Sequence, residues 1–309
     1  MRQKLISTNM KIFLLILIVL SIIFYASGCI LLVNSGYKLS DYADELNLTF
    51  HDINSYFNNE GLNFNLNGSI ESNEHTINDN INSIEFNLTS QDIKLKNYDG
   101  DVIKVQIKSD NFHNSAELPV VESDNKLIFS TTPSNPANAT ILISIPYSFN
   151  DKGDIKVTTS NGYVDISNLS SKAFNLSTAS GSIYMSNSNF NYLNINTSNG
   201  NIDLNNVSGS EETKISSTSG NIQLNGTPGL LSCNTNSGHI NIRIKDTLNN
   251  TSLNTLSGHI SLSLPENSGY KINYNTLSGN FTSDNKPLSF GDESSIINLR
   301  TSSGDINIY

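Results

Sequence analysis

Residues 195–204 read Ile-Asn-Thr-Ser-Asn-Gly-Asn-Ile-Asp-Leu, and this pattern returns along the whole second half of the chain. Seven further segments align on its glycine: TTSNGYVDI, STASGSIYM, SSTSGNIQL, NTNSGHINI, NTLSGHISL, NTLSGNFTS and RTSSGDINI. The eight glycines are Gly162, Gly181, Gly200, Gly220, Gly238, Gly258, Gly279 and Gly304, spaced 19, 19, 20, 18, 20, 21 and 25 residues apart. Self-similarity at a period near twenty marks an architecture of stacked repeats.

Two residues after each glycine stand Val164, Ile183, Ile202, Ile222, Ile240, Ile260, Phe281 and Ile306. Five before stand Val157, Leu176, Ile195, Ile215, Cys233, Leu253, Tyr274 and Leu299. The positions four after and seven before are also mostly apolar, and Asn, Ser, Asp, Lys or Tyr lie between. Period-two alternation on both sides of a Ser/Asn-Gly pair predicts strand, tight turn, strand and loop in every repeat. The glycine suits a turn position of positive φ. One such unit cannot bury its apolar face alone, so the copies must stack, with like residues above one another. A Thr or Ser column three residues before the glycine (Thr159 to Thr301) points inward, where hydroxyls can bond along the ladder or cap the turn. The expected fold is therefore all-β: a β-solenoid of about 20-residue, two-strand repeats, eight rungs over residues 151–309. At an interstrand spacing of about 4.8 Å the eight rungs make a rod roughly 40 Å long.

Residues 81–150 carry β-like runs separated by turn signals (SIEFNLTSQDIKL, DVIKVQIKS, KLIFSTT, ATILISIPYS) and are expected to pair onto the first rung as a β-rich cap. Tyr309 follows the last core residue directly, which predicts an open C-terminal edge able to self-associate. Residues 34–80 read as a polar spacer.

The chain opens with Arg2, Lys4 and Lys11, then an apolar run over residues 12–33. This is long enough to cross a bilayer as a helix, and the flanking charge places the bulk of the chain outside the cytoplasmic membrane. Residues 1–33 are thus a signal or transmembrane segment with three fates open. It stays as an uncleaved single-pass anchor, it is cut before a lipidated Cys29, or it is cleaved near Ala26-Ser27-Gly28.

The 309 residues include 48 asparagines, 28 acids and 18 Lys plus Arg, for a net charge of −10. No basic patch exists to neutralise phosphates, which excludes nucleic acid as a partner. Charged residues are 15% of the chain against about 25% in an average domain, consistent with a stack in which like charges would repel rung upon rung.

The chemistry-bearing residues are few. Cys233 occupies an inward apolar column and reads as a core thiol. His239 and His259 follow their glycines directly and should stack outward on adjacent rungs. Two imidazoles so placed are weak candidates for a shared Zn²⁺ or Cu²⁺, since their column neighbours are expected to be Asn221 and Asn280. Asp165 and Asp203 lie two rungs apart, and Asp305 lies in another column five rungs beyond Asp203, so no catalytic carboxylate pair forms. No Ca²⁺-binding repeat and no phosphate-cradling loop occurs, so neither an enzyme nor a cofactor is expected. Asn175, Asn196 and Asn280 head Asn-x-Ser/Thr sequons with outward phase and are candidate glycosylation positions.

The lead-in ending in Ile145-Pro146, followed by T-x-S-G-x-I-x-L units every twenty residues, resembles the putative-adhesin family of exported β-solenoid domains of unknown function. The resemblance covers residues 81–309 and implies a stacked, toast-rack-like sheet exposed at the cell surface. Two functions are expected to compete. One is a membrane-anchored structural or adhesive protein contacting a surface glycan or another envelope protein. The other is a sensory or regulatory envelope component docking to a membrane partner.

Overall fold

A computed structural model describes residues 69–309, apart from 78–79, 110–117, 151 and 267. The apolar run and Cys29 lie outside the described residues. Among the described residues no helix is long and apolar enough to cross a membrane.

The described chain is all-β and forms one open sheet of 21 strands. The first nine are β1 (Ser69–Thr76), β2 (Ser83–Asn87), β3 (Asp92–Tyr98), β4 (Val102–Ser109), β5 (Val120–Ser123), β6 (Lys126–Ser130), β7 (Thr140–Pro146), β8 (Asp154–Asn161) and β9 (Val164–Ser167). The long strands of the middle are β10 (Ser170–Ser180), β11 (Ile183–Asn199), β12 (Ile202–Ser219) and β13 (Ile222–Ser237). The remainder are β14 (Ile240–Ile244), β15 (Thr251–Ser257), β16 (Ile260–Ser263), β17 (Tyr270–Ser278), β18 (Phe281–Ser283), β19 (Ser289–Phe290), β20 (Ser295–Ser303) and β21 (Ile306–Ile308). A single turn of 3-10 helix, Tyr147–Phe149, links β7 to β8.

Each aligned repeat is a rung folded at its glycine, and rungs stack parallel and in register. Ile183 pairs with Ile202, Ile202 with Ile222, and Ile222 with Ile240, as the columns require. The inward residues of both strands form one core in which Val157, Val164, Leu176, Leu253, Ile260 and Leu299 are fully buried.

The stacking order departs from the sequence order at both ends. The last hairpin, β20–β21, does not close the stack. It lies between β15–β16 and β17–β18, with Leu299 beside both Leu253 and Tyr274, and Ile306 beside both Ile260 and Phe281. The expected open C-terminal strand is therefore interior, and β17–β18 forms that end of the stack. The longer interval between Gly279 and Gly304 supplies the chain that crosses over. At the other end, β2–β3 inserts between β6–β7 and β8–β9, with Ile84 beside both Leu127 and Ile155. The lead-in does pair onto the first glycine rung as expected. It also contributes two further rungs, so the stack has ten rather than eight. Strands β1, β4 and β5 then cover this end antiparallel, β1 coming from the stretch expected to be spacer.

Two local features refine the repeat. In β11, β12 and β13 the chain runs on from one rung into the next as a single bent strand rather than through a loop. Asn187 in β11 and Asn206 in β12 take positive φ at that corner (49° and 55°), as does Asn168 between β9 and β10 (51°), a conformation Asn tolerates better than most residues. The turn glycine is demanded by close approach as much as by φ. A Cβ on Gly258 would sit 2.0 Å from the carbonyl oxygen of Gly238, and one on Gly304 would sit 2.1 Å from that of Gly258.

Candidate functional site

Outward residues on the strand after each glycine form one continuous face, and its first column is organised by hydrogen bonds. From Asn201 to Asp305, the residue following the glycine offers a side-chain acceptor to the backbone N–H of its counterpart on the next rung. Asn221 N–H donates to Asn201 Oδ1 (3.0 Å), His239 N–H to Asn221 Oδ1 (2.8 Å), and His259 N–H to His239 Nδ1 (2.9 Å). Asp305 N–H then donates to His259 Nδ1 (2.8 Å), and Asn280 N–H to Asp305 Oδ1 (2.8 Å). Asp92 serves Tyr163 in the same way at the other end (2.8 Å).

His239 and His259 are brought together as expected, their rings stacked 5.0 Å apart and within 10° of parallel. Their surroundings differ from the expectation. The neighbour of His259 on the far side is Asp305, not Asn280, because β20–β21 is inserted there. For the same reason Asp305 lies four rungs from the Asp203 rung instead of five. Both imidazoles spend Nδ1 as an acceptor, which assigns the proton of the neutral ring to Nε2. Asp305 Oδ2 lies 3.5 Å from His259 Nδ1, on the ladder side of the ring and away from Nε2. A metal ion would find two Nε2 atoms and no third ligand beside them. Among the described residues no group of three His, Cys, Asp or Glu is placed to hold one. Around these side chains the Ser-Gly turns leave an open concavity of about 500 Å³, lined by His239, His259, Asp305 and the hydroxyls of Ser237, Ser257 and Ser303.

The second column of the face holds Asp165, Tyr184 and Asp203 on successive rungs. Burial raises the Asp203 carboxyl above its ordinary range. Burial also raises the phenol of Tyr163, and the charges of Asp165, Tyr184 and Asp203 add to the shift. Amides also bond rung to rung further along this strand, as in Asn225 to Asn205 (3.0 Å), and on the strand before the glycine, as in Asn254 to Asn234 (2.9 Å). These bonds hold the side chains in fixed positions before any ligand arrives.

Inward, the threonine column caps the turns. Thr255 Oγ1 donates to Gly238 O, Thr301 Oγ1 to Gly258 O and Thr276 Oγ1 to Gly304 O, each at 3.0 Å. The sequence had left open whether these hydroxyls bond along the ladder or to the turn. From Thr235 onward they bond to the turn carbonyl of the preceding rung in the stack, whereas Thr197 bonds to Asn199 O of its own turn (3.3 Å). Cys233 is fully buried, and burial drives its thiol well above the usual thiol range.

Of the sequon asparagines, Asn280 is exposed, whereas Asn175 and Asn196 are half-buried within strands. Asn175 Oδ1 accepts from Asn194 Nδ2 (3.4 Å), and Asn196 Nδ2 donates to Asn194 Oδ1 (3.2 Å). What the sequence reading missed is the acceptor ladder itself. Its signal was present: Asp92, Asn201, Asn221, His239, His259, Asp305 and Asn280 can all accept at the same distance from the backbone.

The family model described as Toastrack DUF4097 matches residues 81–309, and the chain belongs to that family. It is not a known enzyme family. The solved structures similar to this chain include the following two. One is described as a putative cell adhesion protein from Clostridium sporogenes, with 14% identity and a TM-score of 0.31, covering 78% of this chain and 98% of the other. The second is described as a putative adhesin from Bacteroides fragilis, with 15% identity and a TM-score of 0.39, covering 78% of this chain and 97% of the other. Among proteins of curated function, none matches the chain.

Proposed function

We propose that this chain is an envelope protein held to the cytoplasmic membrane by its N-terminal apolar run, with the stacked sheet outside the cell in a structural or adhesive role. The observation that carries this reading is the pre-bonded outward face. Its Asn, His and Asp side chains are fixed by hydrogen bonds between rungs, so little conformational entropy remains to be lost on contact. Repeated polar groups about 4.8 Å apart suit many weak hydrogen bonds to a polyhydroxylated surface, a glycan above all. The face carries no paired carboxylates and no activated nucleophile, and the role needs no chemistry.

Sedimentation of the purified full chain with isolated envelope polysaccharide tests the binding role. Retention of the chain is expected, lost when Asn221 is replaced by Ala together with Gln223 and Asn241, which continue the second column beyond Asp203. No retention, or retention indifferent to that replacement, refutes the role. Mass spectrometry of the mature N-terminus tests the anchor separately. An intact Met1 or a lipidated Cys29 is expected, and a free N-terminus near residue 29 without lipid refutes it.

A further inference from the structure

We propose that β17 and β18 are the contact surface of a two-fold dimer formed with a second copy of this chain. Insertion of β20–β21 leaves β17–β18 as the last rung. Only Tyr270 and Lys271 of β17 gain a second strand partner, β19, and the N–H of Ile272 is taken by Leu288 O (2.8 Å). From Asn273 to Ser278, and again from Phe281 to Ser283, the strands are paired on one side only, with β20 and β21. An unpaired strand edge is a template for another strand unless charge, proline or a covering segment blocks it.

Past Ile272 no covering strand continues among the described residues, and neither of the other blocks is present. Residues 272–283 (INYNTLSGNFTS) contain no charged residue and no proline. Apolar surface concentrates here, with Leu277 80% exposed, Leu288 and Phe290 each 45% exposed, and Tyr274 44% exposed. Tyr274 and Phe281 stand where interior rungs carry aliphatic residues, and their rings stack 3.8 Å apart over the end of the core.

Charge selects a second copy over end-to-tail stacking. The opposite end of the sheet presents β1, where exposed Glu74 is ion-paired with Lys104 of β4 (3.1 Å), and β5, with exposed Glu122. Stacking against that end would strip water from these charges beside an edge that offers no counter-charge, whereas the uncharged edge buries none when it meets itself. Such a contact is isologous and closed, with strands crossing the interface antiparallel and the two aromatic lids facing each other.

The test uses the full chain in detergent, in a Cys29→Ser background, spin-labelled either at Asn275→Cys on the edge or at Val121→Cys on the opposite end. Dipolar coupling between copies is expected at position 275, rising with concentration, with Cα separations near the roughly 5 Å of paired strands, and none at position 121. Leu277→Lys, at a side chain 80% exposed, is expected to weaken the association at least about tenfold by opposing two charges. Its circular dichroism should match that of the parent. Absence of coupling at 275 at every concentration overturns the proposal. Equal coupling at both positions overturns it too, since association would then run through another region. So does association indifferent to Leu277→Lys.

Discussion

Replacing Gly258 by Ala puts a methyl group where its Cβ would lie 2.0 Å from Gly238 O, with the backbone at φ +157°. Ordinary carbon–oxygen contact needs well over 3 Å, so the two turns must part by about 1 Å or more. Three hydrogen bonds tie this junction together. Gly238 N–H donates to Ser257 O (3.0 Å), His259 N–H to His239 Nδ1 (2.9 Å), and Thr255 Oγ1 to Gly238 O (3.0 Å). At about 1 kcal/mol net each, their loss costs about 3 kcal/mol, since rungs on both sides prevent relaxation. For a domain of this size that lowers Tm by about 6–12 °C. The contrast is Gly279→Ala. Its Cβ would also lie 2.0 Å from a carbonyl, that of Gly304, but no glycine rung lies beyond it. The end rung can shift outward, so its cost should be less than half as large. Urea unfolding followed by circular dichroism measures both variants. A Gly258→Ala cost below about 0.5 kcal/mol, or an equal cost at both positions, would refute the steric account of the glycine column.

Three other outcomes are expected. Nitrogen-15 NMR should show His239 and His259 as Nε2–H tautomers. His259→Asn, which keeps an acceptor for Asp305 N–H, should cost less stability than His259→Ala, by about 1 kcal/mol; equal costs would dismiss the ladder. The Cys233 thiol should resist a water-soluble disulfide reagent in the native state and react at the rate of unfolding; fast labelling would mean a looser core. Burial tends to raise the Glu85 carboxyl, but its hydrogen bond to Lys126 (3.2 Å) and the charge of Lys156 (3.6 Å) outweigh this and hold it below its ordinary 4.5. A folded-state value below the unfolded one adds stability above about pH 4.5 and loses it as pH falls through the folded value. Glu85→Gln should therefore destabilise the protein near neutrality and converge with the parent in acid, and a pH-independent difference would exclude the ion pairs as its cause.

The rung itself was legible because inward Ile, Leu and Val and a turn glycine recur in fixed columns. The order of the rungs was not legible for the same reason. Columns make every rung compatible with every other, so Leu299 packs as well on Leu253 as Tyr274 would. What decides is the end of the stack, where bulky Tyr274 and Phe281 suit a face with no rung above. The interval of 25 residues before Gly304 was the visible trace of the crossover. The rung formed by β2 and β3 was hidden because it lacks the glycine: Gln91 occupies that slot, its carbonyl 2.2 Å from where a Cβ on Gly162 would lie. At the candidate site, the adjacency of the two histidines followed from the columns, but Asp305 beside them depended on rung order and so escaped. The capping role of the threonines was half visible. Their inward phase was clear, yet choosing the turn carbonyl as acceptor required knowing how closely the turns approach.

Cysteine pairs across neighbouring rungs test the inserted order directly. Disulfides require Cα atoms about 4.4–6.8 Å apart, which adjacent rungs satisfy at about 4.8 Å and rungs two apart, at about 9.6 Å, do not. Asn254 pairs with Arg300, and Arg300 with Asn275. In a Cys29→Ser background, mild oxidation should link Asn254→Cys to Arg300→Cys and leave Asn254→Cys with Asn275→Cys unlinked. Linkage of 254 to 275, with none between 254 and 300, would show rungs stacked in sequence order and contradict the architecture described.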